Sequence, residues 1–246
     1  MDDLRPPPPP VPPLPDPLLA PELTEVPWRA REGFLIVLFA LVTGGFFSIL
    51  AVTMTKDTDI QTLLATICIE GSLGLWVWLW VKLRHNGGFA QLGFKPRRGD
   101  VGAGVLAALL GLGVGAAITQ IVLTLANNVT ERNVEPPQQL PEIQHGAEIF
   151  LAGIAVVIVA PIAEEMFFRG FLYQAFRRWR GVRQAVLISG FVFAIAHVSP
   201  IIMPSIFALG VIFAYLFERR SSLTATIAGH MVYNLIGFIL IVATGS

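Results

Sequence analysis

Residues 148–175 read EIFLAGIAVVIVAPIAEEMFFRGFLYQA, a long apolar run interrupted by two adjacent glutamates and one arginine. At about 1.5 Å of rise per residue, a helix of this length exceeds the ~30 Å of a bilayer's hydrocarbon core. Charged side chains in such a run are energetically costly and typically mark a functional site. The stretch therefore predicts a transmembrane helix with a polar centre, and Pro161 predicts a kink or partial break within it.

The composition of the whole chain also indicates a membrane protein. Of its 246 residues, 54% are hydrophobic and only 14% are charged, with a mean hydropathy of +0.67. A soluble domain carries about a quarter charged residues. The net charge of zero gives no indication of nucleic-acid binding. The single cysteine, Cys68, excludes an intrachain disulfide and a cysteine-rich metal site.

The apolar pattern predicts an all-α, polytopic bundle of about seven spans. Two of the stretches are short, and they meet at Pro200 and Pro204, so one of them could be re-entrant. Gly111 and Gly115 form a G-x-x-x-G pair that lets helices approach closely. The apolar stretches lie at approximately 33–54, 60–81, 101–126, 148–175, 184–199, 201–217 and 222–243.

The chain divides into a leader and a bundle. Residues 1–27 contain eleven of the eighteen prolines, including the run from Pro6 to Pro10. Such a segment favours a disordered, partly polyproline-II conformation. We expect residues 1–30 to form a disordered cytoplasmic tail and residues 31–246 to form the membrane bundle. The first apolar run begins near Gly33, behind this leader, so no cleavable signal peptide is expected.

The loop charges predict the orientation of the bundle in the cell membrane. Basic residues precede the first span and follow the second, fourth and sixth spans. Because cytoplasmic loops carry an excess of Lys and Arg, these ends are predicted to be cytoplasmic. The alternate segment 127–147 has one Arg, no Lys and several Glu, which is typical of an external loop. The N-terminus is therefore expected inside and the C-terminus outside.

The two adjacent glutamates have different expected roles. Glu165 and Arg169 are four residues apart on one helix face, which suits a buried ion pair. Glu164 points about 100° away and lacks that partner. An unpaired carboxylate in a low-dielectric site suits proton transfer. Glu70, in the second span, is a further intramembrane carboxylate of unassigned role, for which pairing with a buried Arg or His is the simplest interpretation.

Two other helices carry imidazoles at a similar depth. His197 lies near the end of the fifth stretch, and His230 and Asn234 share one face of the seventh. Counted from the basic end of each helix, Glu164, His197 and His230 lie about 20, 21 and 15 Å deep. Separate parts of the chain thus place ionisable groups in one layer, which favours a functional site over isolated buried side chains.

These residues form three motifs that resemble a known family. They are E-E-x-x-x-R (Glu164, Glu165, Arg169), F-x-x-x-H (Phe193, His197) and H-x-x-x-N (His230, Asn234). Their order and spacing over residues 148–243 resemble the CAAX prenyl endopeptidase and bacteriocin-processing (CPBP or Abi) family of intramembrane proteases. The first hundred residues are similar to that family only in being hydrophobic.

The resemblance implies peptide-bond hydrolysis by water near the membrane. It implies that Glu164 is the general base, that His197 holds the water, and that His230 and Asn234 donate hydrogen bonds to the oxyanion. Glu165, Arg169 and Phe193 would support them. The implied partners are membrane lipids and a peptide or lipidated-protein substrate. Neither the physiological substrate nor the oligomeric state can be read from the residues.

Three alternatives remain open at this point. A carboxylate and two imidazoles can also bind Zn²⁺ with an open position, so the cofactor is unknown and is either absent or zinc. A non-catalytic immunity or binding protein could use the same bundle. A proton-coupled transporter also buries Glu and His, although the sequence shows no internal repeat of the kind that many transporters have.

Overall fold

The chain forms a bundle of helices. The computed structural model describes residues 25–130, 134 and 146–244. Those residues form seven helices and no strand, which confirms the all-α prediction. They are α1 Glu32–Val52, α2 Thr58–His85, α3 Asp100–Thr130, α4 over residues 146–180, α5 Val182–Ala196, α6 Met203–Arg220 and α7 Leu223–Thr244.

Five of the helices in the described residues are long and apolar enough to cross a membrane: α1, α2, α3, α4 and α7. The other two correspond to the short apolar stretches. Helix α5 has 15 residues and α6 has 18, whereas about 20 are needed to span the hydrocarbon core. The pair α5 and α6 packs closely together as a hairpin, with its turn at residues 197–202.

Helix α4 is irregular where its sequence contains Pro161. It consists of α-helical segments separated by the π-helical segments Gly153–Val159 and Met166–Tyr173. In a π-helix each N–H bonds to the carbonyl five residues earlier, as Ala160 N does to Ala155 O. The next donor would be residue 161, but proline has no N–H. The carbonyl of Val156 is therefore left for another partner, and the kink predicted at Pro161 takes this form.

The second π-helical segment of α4 also exposes carbonyls that side chains satisfy. The indole of Trp28 donates to Phe171 O at 3.0 Å. The amide of Gln174 donates to Gly170 O at 2.5 Å and to Gln91 O at 3.0 Å. A buried carbonyl without a donor destabilises a fold. These side chains therefore fix the widened turn against the N-terminal segment and the 86–99 loop.

Helix α4 lies between two groups of helices. The antiparallel pair α1 and α2 contacts it on one side, and α5 and α7 contact it on the other. Helix α3 packs on α6 and α7. Gly111 and Gly115 lie on this face, where a Cβ at Gly111 would come 2.5 Å from Leu209 Cδ1. The small residues singled out in the sequence thus allow α3 to approach α6 and α7.

One end of the bundle is joined by polar side chains. Asp100, at the start of α3, accepts hydrogen bonds from Arg220 and Ser222. Glu218, near the end of α6, accepts from Tyr173 at 2.7 Å and from Arg177 at 2.9 Å. The four helices that meet here, α3, α4, α6 and α7, are thereby held in register at this end.

The folded part of the chain begins earlier than the predicted boundary at residue 30. Residues 1–24 of the predicted tail lie outside the described residues. Val26 and Trp28 are buried, with exposed fractions of 4% and 0%. The Trp28 ring stacks on Phe171 at 5.3 Å, and Arg178 Nη1 donates to Val26 O. Residues 25–30, which fall within the predicted tail, thus pack on α4, because an indole and a valine there bury apolar surface on it.

Candidate active site

The carboxylate of Glu165 is part of a fully buried ion pair. Arg169 Nη1 donates to Glu165 Oε1 at 2.8 Å, and neither side chain has any exposed surface. Arg169 Nη2 donates to Gly210 O at 3.1 Å, and its guanidinium lies 4.4 Å from the centre of the Phe193 ring. The i,i+4 pair expected from the sequence is present, and it ties α4 to α5 and α6.

His230 is oriented by the same carboxylate. Its Nδ1 donates to Glu165 Oε1 at 3.0 Å, across α4 and α7. Because the Nδ1 proton is used in this bond, a neutral ring presents a lone pair at Nε2, and only the imidazolium can donate from Nε2. The protonation state of His230 therefore decides whether this nitrogen accepts or donates in the cavity.

Glu164 has no such partners. Its Oε2 is buried and has no hydrogen-bond partner within the described residues. Its side chain lines a cavity of about 260 Å³ together with His197, His230 and Asn234. That volume is ample for several water molecules, since one needs roughly 10–15 Å³ of such space. Glu164 thus faces the cavity, whereas Oε1 of its neighbour Glu165 is bound by Arg169 and His230.

His197 lies at the turn between α5 and α6. It follows the last residue of α5, and Val198 after it has a φ of 54°, an unusual conformation for a β-branched residue. His197 Nδ1 donates to Phe193 O at 2.8 Å. The proton on Nδ1 leaves a lone pair on Nε2, which can accept a hydrogen bond from water.

The ring of Phe193 packs against the imidazoles of both His197 and His230. Its ring makes edge contacts with His197 at 4.7 Å and with His230 at 5.9 Å. Phe213, which the sequence did not single out, lies 5.6 Å from His230. Both phenyl rings also lie near the guanidinium of Arg169. Aromatic packing thus fixes the positions of the charged and imidazole groups.

The side chain of Asn234 makes a hydrogen bond that the sequence analysis did not predict. Its Nδ2 donates to Val156 O at 2.8 Å, the carbonyl that Pro161 leaves without a backbone donor. An amide nitrogen carries two hydrogens, so one Nδ2–H remains for the cavity. Asn234 therefore anchors the π-helical segment of α4 to α7 and retains one donor.

The structure brings the four predicted catalytic side chains, from two helices and one turn, to one cavity. Of the remaining predicted residues, Phe193 also lines the cavity, and Glu165 and Arg169 are fully buried and bonded to each other. Glu70 also lines this cavity. The sequence did not predict this, because the position of Glu70 in the middle of an apolar stretch does not show which way its side chain points. The hydrogen bond from Arg169 to Gly210 O was not predicted either. Every residue has a backbone carbonyl, so the residue type does not indicate which carbonyl accepts.

The donor set does not form a metal-binding cluster. Among the described residues, no group of three or more His, Cys, Asp or Glu side chains lies close enough to hold a metal ion. The side chains as placed do not fit a three-ligand zinc site, and no reaction step is derived through a metal.

Comparison with known proteins agrees with the three motifs. Residues 146–236, less than half of the chain, match the family model described as type II CAAX prenyl endopeptidase Rce1-like. This match confirms the resemblance to the CAAX prenyl endopeptidase family, and it covers Glu164, His197, His230 and Asn234. No curated protein matches the chain, and no solved structure matches it.

Proposed function

We propose that this membrane protein, whose residues 146–236 match the type II CAAX prenyl endopeptidase family, is an intramembrane endopeptidase that uses a water molecule activated by Glu164. One observation carries the proposal. Of the two adjacent glutamates, Glu164 faces a cavity shared with two histidines and makes no ion pair, whereas Glu165 is bound by Arg169 and His230. The separation leaves one carboxylate free to accept a proton.

The attack on the peptide bond follows from this arrangement. Water held between Glu164 and Nε2 of His197 loses a proton to the Glu164 carboxylate. Its oxygen forms a bond to the carbonyl carbon, and the carbonyl oxygen becomes an oxyanion. General-base catalysis of this kind contributes about 10²–10⁴-fold in rate. The lone pair on His197 Nε2 suits it to orienting the water, because its Nδ1 proton is used by Phe193 O.

The oxyanion would be stabilised from the α7 side of the cavity. Asn234 has one Nδ2–H to donate, and the His230 imidazolium has Nε2–H. The imidazolium balances charge, because Glu164 and Glu165 are then matched by Arg169 and His230. Loss of one such donor typically lowers the rate by about 10²–10³-fold. The leaving amine must also receive a proton before the carbon–nitrogen bond breaks.

The substrate class we propose is a prenylated peptide or protein, with the active site reached from the cytoplasmic side. The family description supports prenyl-peptide hydrolysis, and the basic residues at one end of the bundle support that orientation. A lipidated substrate is already partitioned into the bilayer. It would therefore reach an intramembrane cavity without leaving the membrane.

The proposal is tested with the purified full chain and a farnesylated peptide ending in a C-a-a-X sequence. Wild type should cleave the peptide, and products formed in H₂¹⁸O should carry one ¹⁸O in the new carboxylate, as water attack requires. Glu164→Gln should lower turnover by about 10²–10⁴-fold with an unchanged unfolding temperature. Asp59→Asn, the same chemical change at the distant end of α2, is the matched control and should retain turnover. Wild-type turnover by Glu164→Gln, or an uncleaved peptide with wild type, would overturn the proposal.

A further inference from the structure

A second carboxyl group faces the candidate active site. Glu70 lies in the middle of α2 and lines the 260 Å³ cavity together with Glu164, His197 and His230. It also lines a neighbouring cavity of about 370 Å³, on the α1 side of α4, again with Glu164 and His197. Glu70 and Glu164 therefore share two cavities, one on each side of the reacting carboxylate.

Glu70 lacks the partner that a structural glutamate needs. Its Oε2 is buried without a hydrogen-bond partner, as is Oε2 of Glu164. The candidate cations nearby, Arg169 and His230, are bound to Glu165 instead. The simplest interpretation from sequence, pairing of Glu70 with a buried Arg or His, is thus not realised among the described residues.

Two unpaired carboxyl groups beside one cavity constrain each other. The two side chains line the same two cavities. Like charges close together in a water-poor site repel each other, so ionisation of both groups at once is unfavourable. A pair of carboxyl groups with one proton is the arrangement that separates an acid from a base.

We infer that Glu70 is the acid of the reaction and protonates the leaving amine, while Glu164 is the base. The inference rests on the proposed function and adds the second half of its chemistry. It assigns a role to a residue of α2 that lies outside the stretch matched by the family model. Burial of a lone carboxyl group opposes stability, so a catalytic role is the reason for its presence.

The proton transfers balance within the pair. Glu164 takes a proton from the attacking water as the carbon–oxygen bond forms. The carboxylic acid of Glu70 gives its proton to the amide nitrogen as the carbon–nitrogen bond breaks and the amine leaves. The proton on Glu164 then passes to Glu70, which restores one acid and one base for the next turnover. Water is the only co-reactant consumed.

The test compares an amide with a thioester at the same bond. A thiolate leaves without being protonated, whereas an amine does not. The full chain is assayed on the farnesylated C-a-a-X peptide and on its analogue with a thioester in place of the scissile amide. Glu70→Gln should lower kcat on the amide by about 10²–10⁴-fold, with KM unchanged and thioester hydrolysis within about threefold of wild type. Glu164→Gln should lower both activities.

The controls separate this inference from the proposed function. Glu70→Asp keeps the acid one methylene farther away, so its amide turnover should lie between those of Glu70→Gln and wild type. The unfolding temperature of Glu70→Gln should equal or exceed that of wild type, because a buried carboxyl group without a partner is replaced by a neutral amide. If Glu164→Gln is inactive and Glu70→Gln cleaves the amide normally, or slows both substrates equally, the acid is not Glu70. If Glu164→Gln remains active, the proposed function itself is wrong, whatever the behaviour of the Glu70 variants.

Discussion

Two identical side chains, next to each other in the sequence, have different surroundings in this molecule. The carboxylate of Glu165 accepts hydrogen bonds from Arg169 and His230 and has no exposed surface. The carboxylate of Glu164 faces a cavity and makes no ion pair of this kind, although Oε2 of each glutamate is buried without a partner. A turn of about 100° per residue produces this difference, because it directs neighbouring side chains to different faces of α4.

The Glu165–Arg169 pair should be required for stability. Glu165→Gln leaves a buried guanidinium without its counter-charge, which typically destabilises by about 3–5 kcal/mol. Arg169→Met should be similarly damaging, because it leaves the carboxylate buried. The double variant should recover part of the loss, since no uncompensated charge remains. Thermal unfolding of the four proteins in detergent measures the coupling, and additive losses would contradict a paired role.

The bond from Asn234 to Val156 O should depend on Pro161. Asn234→Leu removes the side-chain donor and leaves the carbonyl unsatisfied, with an expected loss of about 1–3 kcal/mol. Pro161→Ala restores a backbone N–H at the position that a π-helix would pair with Val156 O. In that background Asn234→Leu should destabilise less. Unfolding temperatures of the two single variants and the double variant measure this, and an equal loss in both backgrounds would show that the carbonyl does not rely on the proline.

Among the elements, the segment before α1 is short but well packed. Trp28 fills a position against Phe171 and His85, with its indole donating to α4. Trp28→Ala should therefore destabilise by about 3–5 kcal/mol, the usual loss for a buried tryptophan. Deleting residues 1–24, which retains Val26 and Trp28, should leave unfolding and turnover nearly unchanged and serves as the comparison. A stable Trp28→Ala protein would show that α1 and α4 hold together without this segment.

The elements show which parts of the fold a sequence can predict. Apolar length predicted the helices, and the i,i+4 spacing predicted the ion pair, because both are local properties. The π-helical segments were not predicted, since they depend on donors from distant parts of the chain, such as Trp28 and Asn234. The packing of Trp28 was not predicted, because the proline-rich sequence before it is typical of a disordered segment.

The sequence predicted how deep the site residues lie in the membrane, but it did not predict how each helix is rotated about its own axis. Counting residues from the basic ends placed Glu164, His197 and His230 in one layer, and the structure brings them to one cavity. The direction in which Glu70 points depends on the rotation of α2 about its axis. That rotation is set by packing against α1 and α4, and a nearly uniform apolar helix gives no periodic signal for it.

For the molecule as a whole, basic residues concentrate at one end of the bundle. That end includes the end of α2, the 86–99 loop, the end of α4 and the end of α6, whereas the 53–57 turn at the other end carries Lys56 beside Asp57. The depth of the site can be measured from the basic end. Thirteen residues separate Glu164 from Arg177, or about 20 Å of helix.

The basic end is predicted to face the cytoplasm, and the single cysteine makes this straightforward to test. In a Cys68→Ala background, one new cysteine is placed at Ala90, in the loop between α2 and α3, and in a second protein at Thr130, at the end of α3. Because Lys- and Arg-rich ends remain in the cytoplasm, a membrane-impermeant maleimide should label Thr130→Cys on intact cells. It should label Ala90→Cys only after the cells are permeabilised, with the cysteine-free protein as the control. Labelling of Ala90→Cys on intact cells would show that the orientation is the reverse of the predicted one. A substrate from the cytoplasm would then have to reach the site from the end opposite the basic residues.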